Sequence, residues 1–199
     1  MYYVGLDLGQ KQDFTAVAVV EREEQRLAWM PAPSSLQVRH LERMELGTPY
    51  TEVVERVREI MRHPDLHRRS QLVVDATGVG APVVDLLRSA RIGCSLTAVT
   101  ITGGERAQCY GGEWHVPRKD LLAGIEVLLE SGELKISGQL AEAERLVREL
   151  TSLRLVAGDA GRRRAEPSGE HDDLVIAVGL ACWQAKQMTI GFRTQSLGL

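Results

Sequence analysis

The sequence predicts one α/β domain: a mixed sheet with three antiparallel strands first and parallel strands after them, covered by helices on both faces. Three observations carry this. Short apolar runs separated by brief polar turns open the chain. Helical apolar stripes then alternate with apolar runs of strand length, the pattern of a sheet with crossover helices. No repeat and no domain linker interrupts the 199 residues, enough for one sizeable core.

Each element follows from local pattern. Residues 2–8 (YYVGLDL) form a buried strand, and 14–20 (FTAVAVV) a second one; the short polar connection makes them an antiparallel hairpin. Residues 27–30 are expected as the third strand, ending at Pro31 and Pro33. A helix follows, with Thr48 as its N-cap, Pro49 in its first position, and Val53, Val54, Val57, Ile60 and Met61 on its apolar stripe. Residues 71–75 form a strand that stops on an acid. The turn 76–80 leads into a helix starting near Pro82, and 95–101 form another strand. Residues 103–112 are expected to be a mobile loop. Pro117 opens a helix that buries Leu121, Leu122, Ile125, Leu128 and Leu129 and stops at Gly132. Residues 134–136 are extended. Residues 139–153 form an amphipathic helix with Leu140, Ala143, Leu146, Val147 and Leu150 inward. The stretch 157–169 is the least core-like, and 171–188 form a largely buried helix.

Composition narrows the function classes. The three cysteines are scattered, with no C-x-x-C pair, which disfavours a disulfide framework and a zinc site and fits a reducing cytoplasm. There is no signal-peptide pattern and no run of membrane-spanning length. The net charge of -3 is not that of a strongly basic nucleic-acid binder, although a bound cation would offset part of the acidity.

Three places set carboxylates in apolar surroundings: Asp7 inside the first strand, Asp75 at a strand end, and Asp172-Asp173 at the start of the last helix. Asp75 has an ordinary reading as a turn former, and the last pair has one at the positive end of a helix dipole. Asp7 has neither excuse, and an unpaired buried charge costs several kcal/mol. Adjacent strands lie about 4.8 Å apart, so Asp7 and Asp75 can converge, and a helix crossing the sheet can deliver a third acid. Hard oxygen donors without a His or Cys cluster point to Mg²⁺ or Mn²⁺, and a pair of such ions forms the clamp used for phosphodiester cleavage.

Gly5-Leu-Asp-Leu-Gly9 with Asp13-Phe-Thr-Ala-Val17, Val74-Asp-Ala-Thr-Gly-Val-Gly80, Val116-Pro-Arg-Lys-Asp-Leu-Leu122 and Gly169-Glu-His-Asp-Asp-Leu-Val-Ile176 occur in an order that resembles the nuclease domain of the phage terminase large subunit. That domain has a ribonuclease H-like, RuvC-like fold. The resemblance spans nearly the whole chain, and the Glu-His-Asp-Asp helix start is its most specific part. It implies metal-dependent endonucleolytic cutting of double-stranded DNA during genome packaging, in the host cytoplasm. Asp7 is then the ligand bridging two ions, Asp75 the second ligand and Asp173 the third. Asp172 is a further ligand or water holder, Glu170 and His171 are helpers, and Asp13 shapes a turn. The implied partners are a packaging ATPase, as a domain or a subunit, the portal and the small terminase. No G-x-x-x-x-G-K-[ST] loop is present, so the chain is expected to be either an excised nuclease domain or a free-standing relative, without translocation of its own.

Candidate DNA contacts are Arg162, Arg163 and Arg164 before the last helix, and Arg118 and Lys119 at a helix start where free N–H groups also meet phosphate. Each set also reads as solvated surface. Tyr110 and Trp114 read as wedges against DNA or as ordinary packing. Three other functions compete. A Holliday-junction resolvase of the RuvC type would use the same acids on branched DNA. An actin- or sugar-kinase-type ATP binder shares the Gly-x-Asp-x-Gly strand but needs two related domains. A non-catalytic assembly module would have no reason to bury these acids.

Overall fold

The computed structural model describes residues 1–9, 13–23, 26–27, 30–31, 35–78, 80–158 and 171–195. The strands are β1 (Tyr2–Asp7), β2 (Ala16–Glu23), β3 (Arg26–Leu27), β4 (Met30–Pro31), β5 (Ser35–Arg43), β6 (Ser70–Asp75), β7 (Ser95–Thr102), β8 (Gln108–Tyr110), β9 (Glu113–Pro117) and β10 (Leu134–Ile136). The helices are α1 (Tyr50–Met61), α2 (Gly80–Ser89), α3 (Arg118–Glu130), α4 (Ala143–Gly158) and α5 (Asp173–Gln195). One eight-stranded mixed sheet runs in the order β10-β5-β2-β1-β6-β7-β9-β8. The strands β1, β2 and β5 form the antiparallel meander, and β6, β7 and β9 add parallel to β1.

Alternation along β1 divides the core. Val4 and Leu6 pack with α1 and α2 residues such as Val53, Val57, Val83 and Leu87. Tyr3 faces the other way, with Leu174, Val178 and Ala181 of α5. Gly5 and Asp7 share Tyr3's face because side chains two apart on a strand point the same way. At Gly5 the helix comes unusually close: a Cβ there would sit 1.9 Å from the Ala177 carbonyl oxygen. No described helix is long and apolar enough to cross a membrane.

Several local expectations change. The third sheet strand is β5; of the residues 27–30 expected there, Leu27 and Met30 pair in the separate two-stranded β3–β4 sheet. In β5 the inward positions run Leu36, Val38, then Leu41, because the register slips between Val20↔Val38 and Val19↔His40. This bulge breaks the period of two that identifies a strand. Pro49, not Thr48, caps α1, and the Thr48 hydroxyl donates to the Glu45 carbonyl at 2.7 Å. The helix expected near Pro82 starts at Gly80, and the one expected over 139–153 runs Ala143–Gly158. Within 103–112, Gln108–Tyr110 form the edge strand β8, turned back onto β9 through Gly111 and Gly112, both at positive φ. Leu129 and Val147 point outward, at 38% and 54% exposure.

Candidate metal centre

β1 and β6 run parallel, with Leu6 opposite Val74, so Asp7 and Asp75 follow side by side at the strands' C-terminal ends. Val73 lies on the face covered by α5, and Asp75, two residues on, shares it. α5 then starts over this edge. Asp173 lies one turn before Ala177, the residue whose carbonyl abuts Gly5. The packing of three elements, β1, β6 and α5, therefore brings Asp7, Asp75 and Asp173 to one end of the sheet.

Their electrostatics reflect the crowding. Burial pushes Asp7 well above the usual carboxylate range, and the charges of Asp75 and Asp173 push it further, against the opposing charge of Arg118. Burial also raises Asp75, while hydrogen bonds from Thr77 and from Asp7 restrain it. The Thr77 N–H donates to Asp75 Oδ1 at 2.8 Å, so Asp75 is a turn former as well. Asp173 is raised chiefly by burial, opposed by His171 and Arg43. Its Oδ2 is buried without a hydrogen-bond partner. Arg43 Nη1 and His171 Nδ1 stand 3.8 and 3.9 Å from that oxygen, too far for hydrogen bonds.

Asp172 is half-buried just before α5 and pairs with Arg118 at the start of α3. Lys119 pairs with Glu105. The first N–H groups of α3 follow Pro117 and receive no side-chain cap. Arg162, Arg163, Arg164 and Glu170 lie outside the described residues. Tyr110 is exposed and meets His115 edge-on, whereas Trp114 packs against Trp183. The charge of Asp13 raises both Asp7 and Asp173, and its Oδ1 is 3.9 Å from His171 Nδ1.

Sequence reasoning missed two residues here. Glu149, from α4, is buried at 6% exposure, and burial lifts its carboxyl to about 7. Its Oε2 accepts from the Leu174 and Val175 N–H groups at 3.1 and 3.2 Å, while its Oε1 has no hydrogen-bond partner. Arg43 lies over Phe14, its Cζ 3.6 Å from the ring centroid, with Nη1 3.8 Å from both Glu149 Oε1 and Asp173 Oδ2. A signal for Glu149 exists: Leu146, Glu149, Leu150 and Leu153 follow helical spacing, so a carboxylate sits on the apolar stripe. Arg43 ends the unrecognised strand and had none.

Among the described residues, no three His, Cys, Asp or Glu groups already surround a common point closely enough to hold an ion. The donor set nevertheless fits a hard divalent cation. It offers several carboxylates, one with a buried unsatisfied oxygen and two on neighbouring strand ends whose proton affinity burial raises.

No protein-family model matches the chain, and no curated protein sequence is similar to it. Solved structures are similar in fold. The large terminase nuclease from thermophilic phage G20c aligns at a TM-score of 0.59 and 20% identity, over 92% of this chain and 82% of that one. The same nuclease with bound zinc gives a TM-score of 0.57 at 20% identity, over 92% and 81%. The g2p (large terminase) nuclease domain from bacteriophage SPP1, with bound Mn, gives 0.54 at 12% identity, over 92% and 86%. The fold is ribonuclease H-like, the one these terminase nuclease domains share.

Proposed function

We propose that the chain is a divalent-metal-dependent endonuclease that hydrolyses phosphodiester bonds of double-stranded DNA, as in viral genome-packaging terminases. The observation that supports this reading best is the meeting of Asp7, Asp75 and Asp173 at one sheet end, with Asp173 Oδ2 buried and unsatisfied. Isolated acids so placed only destabilise the fold, whereas acids that hold Mg²⁺ or Mn²⁺ have a use for the site. Asp7, Asp75 and Asp173 would hold the ions, with Asp172 as a further donor once Arg118 turns away. When bound, the ions lower the pKa of the attacking water and stabilise the leaving oxygen.

The chain's own groups do the rest. Lys119 exchanges its exposed partner Glu105 for phosphate at little cost, since exposed ion pairs contribute little, and Arg118 turns from the half-buried Asp172 to the same contact. The uncapped start of α3 adds backbone N–H groups to the same contact. Arg162, Arg163 and Arg164 are proposed as further phosphate contacts. Binding by these few cations is weak, salt-sensitive and independent of base sequence. In the packaging setting the duplex is delivered by an ATPase domain or subunit, with the portal and small terminase as further partners.

The test is cleavage of supercoiled plasmid with Mn²⁺ or Mg²⁺, with linear duplex and a four-way junction alongside. Cutting of plasmid and linear duplex is expected, and Asp7→Asn should reduce it roughly 10³-fold or more while leaving the protein folded. An Asp7→Asn protein as active as the parent would sink the mechanism. Cutting confined to the junction would replace it with a RuvC-type resolvase.

A further inference from the structure

The first N–H groups of any helix lack intrahelical partners. In α5, two of them belong to Leu174 and Val175, and both are taken by Oε2 of Glu149. The ordinary solution is an exposed Ser, Thr, Asp or Asn at the N-cap itself. Here the acceptor instead comes from another helix and is buried. It also brings a second carboxylate alongside Asp173, with Arg43 between them at 3.8 Å from each. Arg43 is in turn clamped on Phe14, whose ring meets His171 edge-on at 4.9 Å. As a source of stability this is a poor arrangement, because buried charge groups with unsatisfied oxygens seldom repay their desolvation. As a way to hold one turn of helix in a fixed place it is effective. The two bonds fix the backbone that follows Asp173, and Arg43 limits where the Asp173 carboxylate can turn.

We infer that Glu149 is a positioning residue for the metal centre, gripping the first turn of α5 through Leu174 and Val175 so that Asp173 is held toward Asp7 and Asp75. The inference rests on the metal-site reading above. Glu149 touches no substrate and acts only through α5. Groups that orient metal ligands in this way typically matter 10- to 100-fold in metal affinity.

Mn²⁺ affinity of the whole chain, read from the electron paramagnetic resonance of free Mn²⁺, tests it, with circular dichroism to confirm folding. Glu149→Ala removes the grip and should weaken Mn²⁺ binding about tenfold or more. Glu149→Gln keeps an oxygen acceptor for both N–H groups and should stay within about threefold of the parent. If the alanine variant fails to fold, Glu149→Asp replaces it, its carboxylate withdrawn by one methylene, with the same loss expected. Parental affinity in the alanine or aspartate variant overturns the inference. So does a glutamine variant as impaired as alanine, since charge rather than grip would then matter. A parent chain that binds no Mn²⁺ overturns the metal-site reading and this inference with it. A parent that binds Mn²⁺ but cuts no DNA overturns the nuclease reading alone and leaves the affinity comparison valid.

Discussion

Asp7, Asp75, Asp173 and Glu149 are all held above their ordinary proton affinity, first by burial. The direction sets the pH dependence of the metal-free protein. A carboxyl raised in the folded state binds protons better folded than unfolded, so its contribution is complete below its ordinary value and is lost as pH rises through the raised one. For Glu149 that window runs from 4.5 to about 7. With EDTA present, the melting temperature should therefore fall between pH 5 and pH 8. Glu149→Gln should remove its share of the fall, on the order of 3 kcal/mol. Melting curves across that range check this, and a flat or rising profile would contradict it. Asp7→Asn should melt higher than the parent at pH 8 without metal, because it removes a buried charge that its neighbours repel. Asp7 was legible in the sequence because an apolar strand advertises an intruding carboxylate. Glu149 was harder to see: its place on the apolar stripe is a signal, but in an amphipathic helix one acid among many looks solvated until its partners in α5 are known.

The decisive contact between elements is that of α5 with β1. Gly5 faces α5 without a side chain, and the Ala177 carbonyl occupies the space a Cβ would need. Asp7 is two residues beyond Gly5, and Asp173 one helical turn before Ala177, so this contact sets their separation. Gly5→Ala should push α5 off the sheet and cost about 1–3 kcal/mol, as overpacked cores do. It should also weaken Mn²⁺ binding more than an equally destabilising core change on the other face of the sheet, such as Leu87→Ala in α2. Denaturant melts paired with Mn²⁺ titration separate the two effects. Most elements were readable from periodicity, including α3, which begins after Pro117 as expected. β5 was not, because its bulge moves the inward position from His40 to Leu41 and so erases the alternation. Arg43 was lost with it.

Over the whole molecule, the charge of -3 includes the acids gathered at one end of the sheet. A divalent cation that binds only the folded chain should relieve that repulsion and stabilise by about 2.7 kcal/mol at a hundred times its Kd. Mn²⁺ should thus raise the melting temperature at pH 8, and Asp173→Asn should lose most of the rise. Equal shifts in parent and variant would place the cation elsewhere.

By itself, the sequence determined the class of the fold, the order of most of its elements and the acids that have no place in an apolar core. These are local properties, set by the spacing of apolar side chains along a strand or helix. It took the three-dimensional packing to gather Asp7, Asp75 and Asp173, to rest α5 on Gly5 and to set Glu149 and Arg43 beside Asp173. Those contacts join residues remote in the chain. They follow from strand order and helix docking, which leave no periodic trace in the residues they connect.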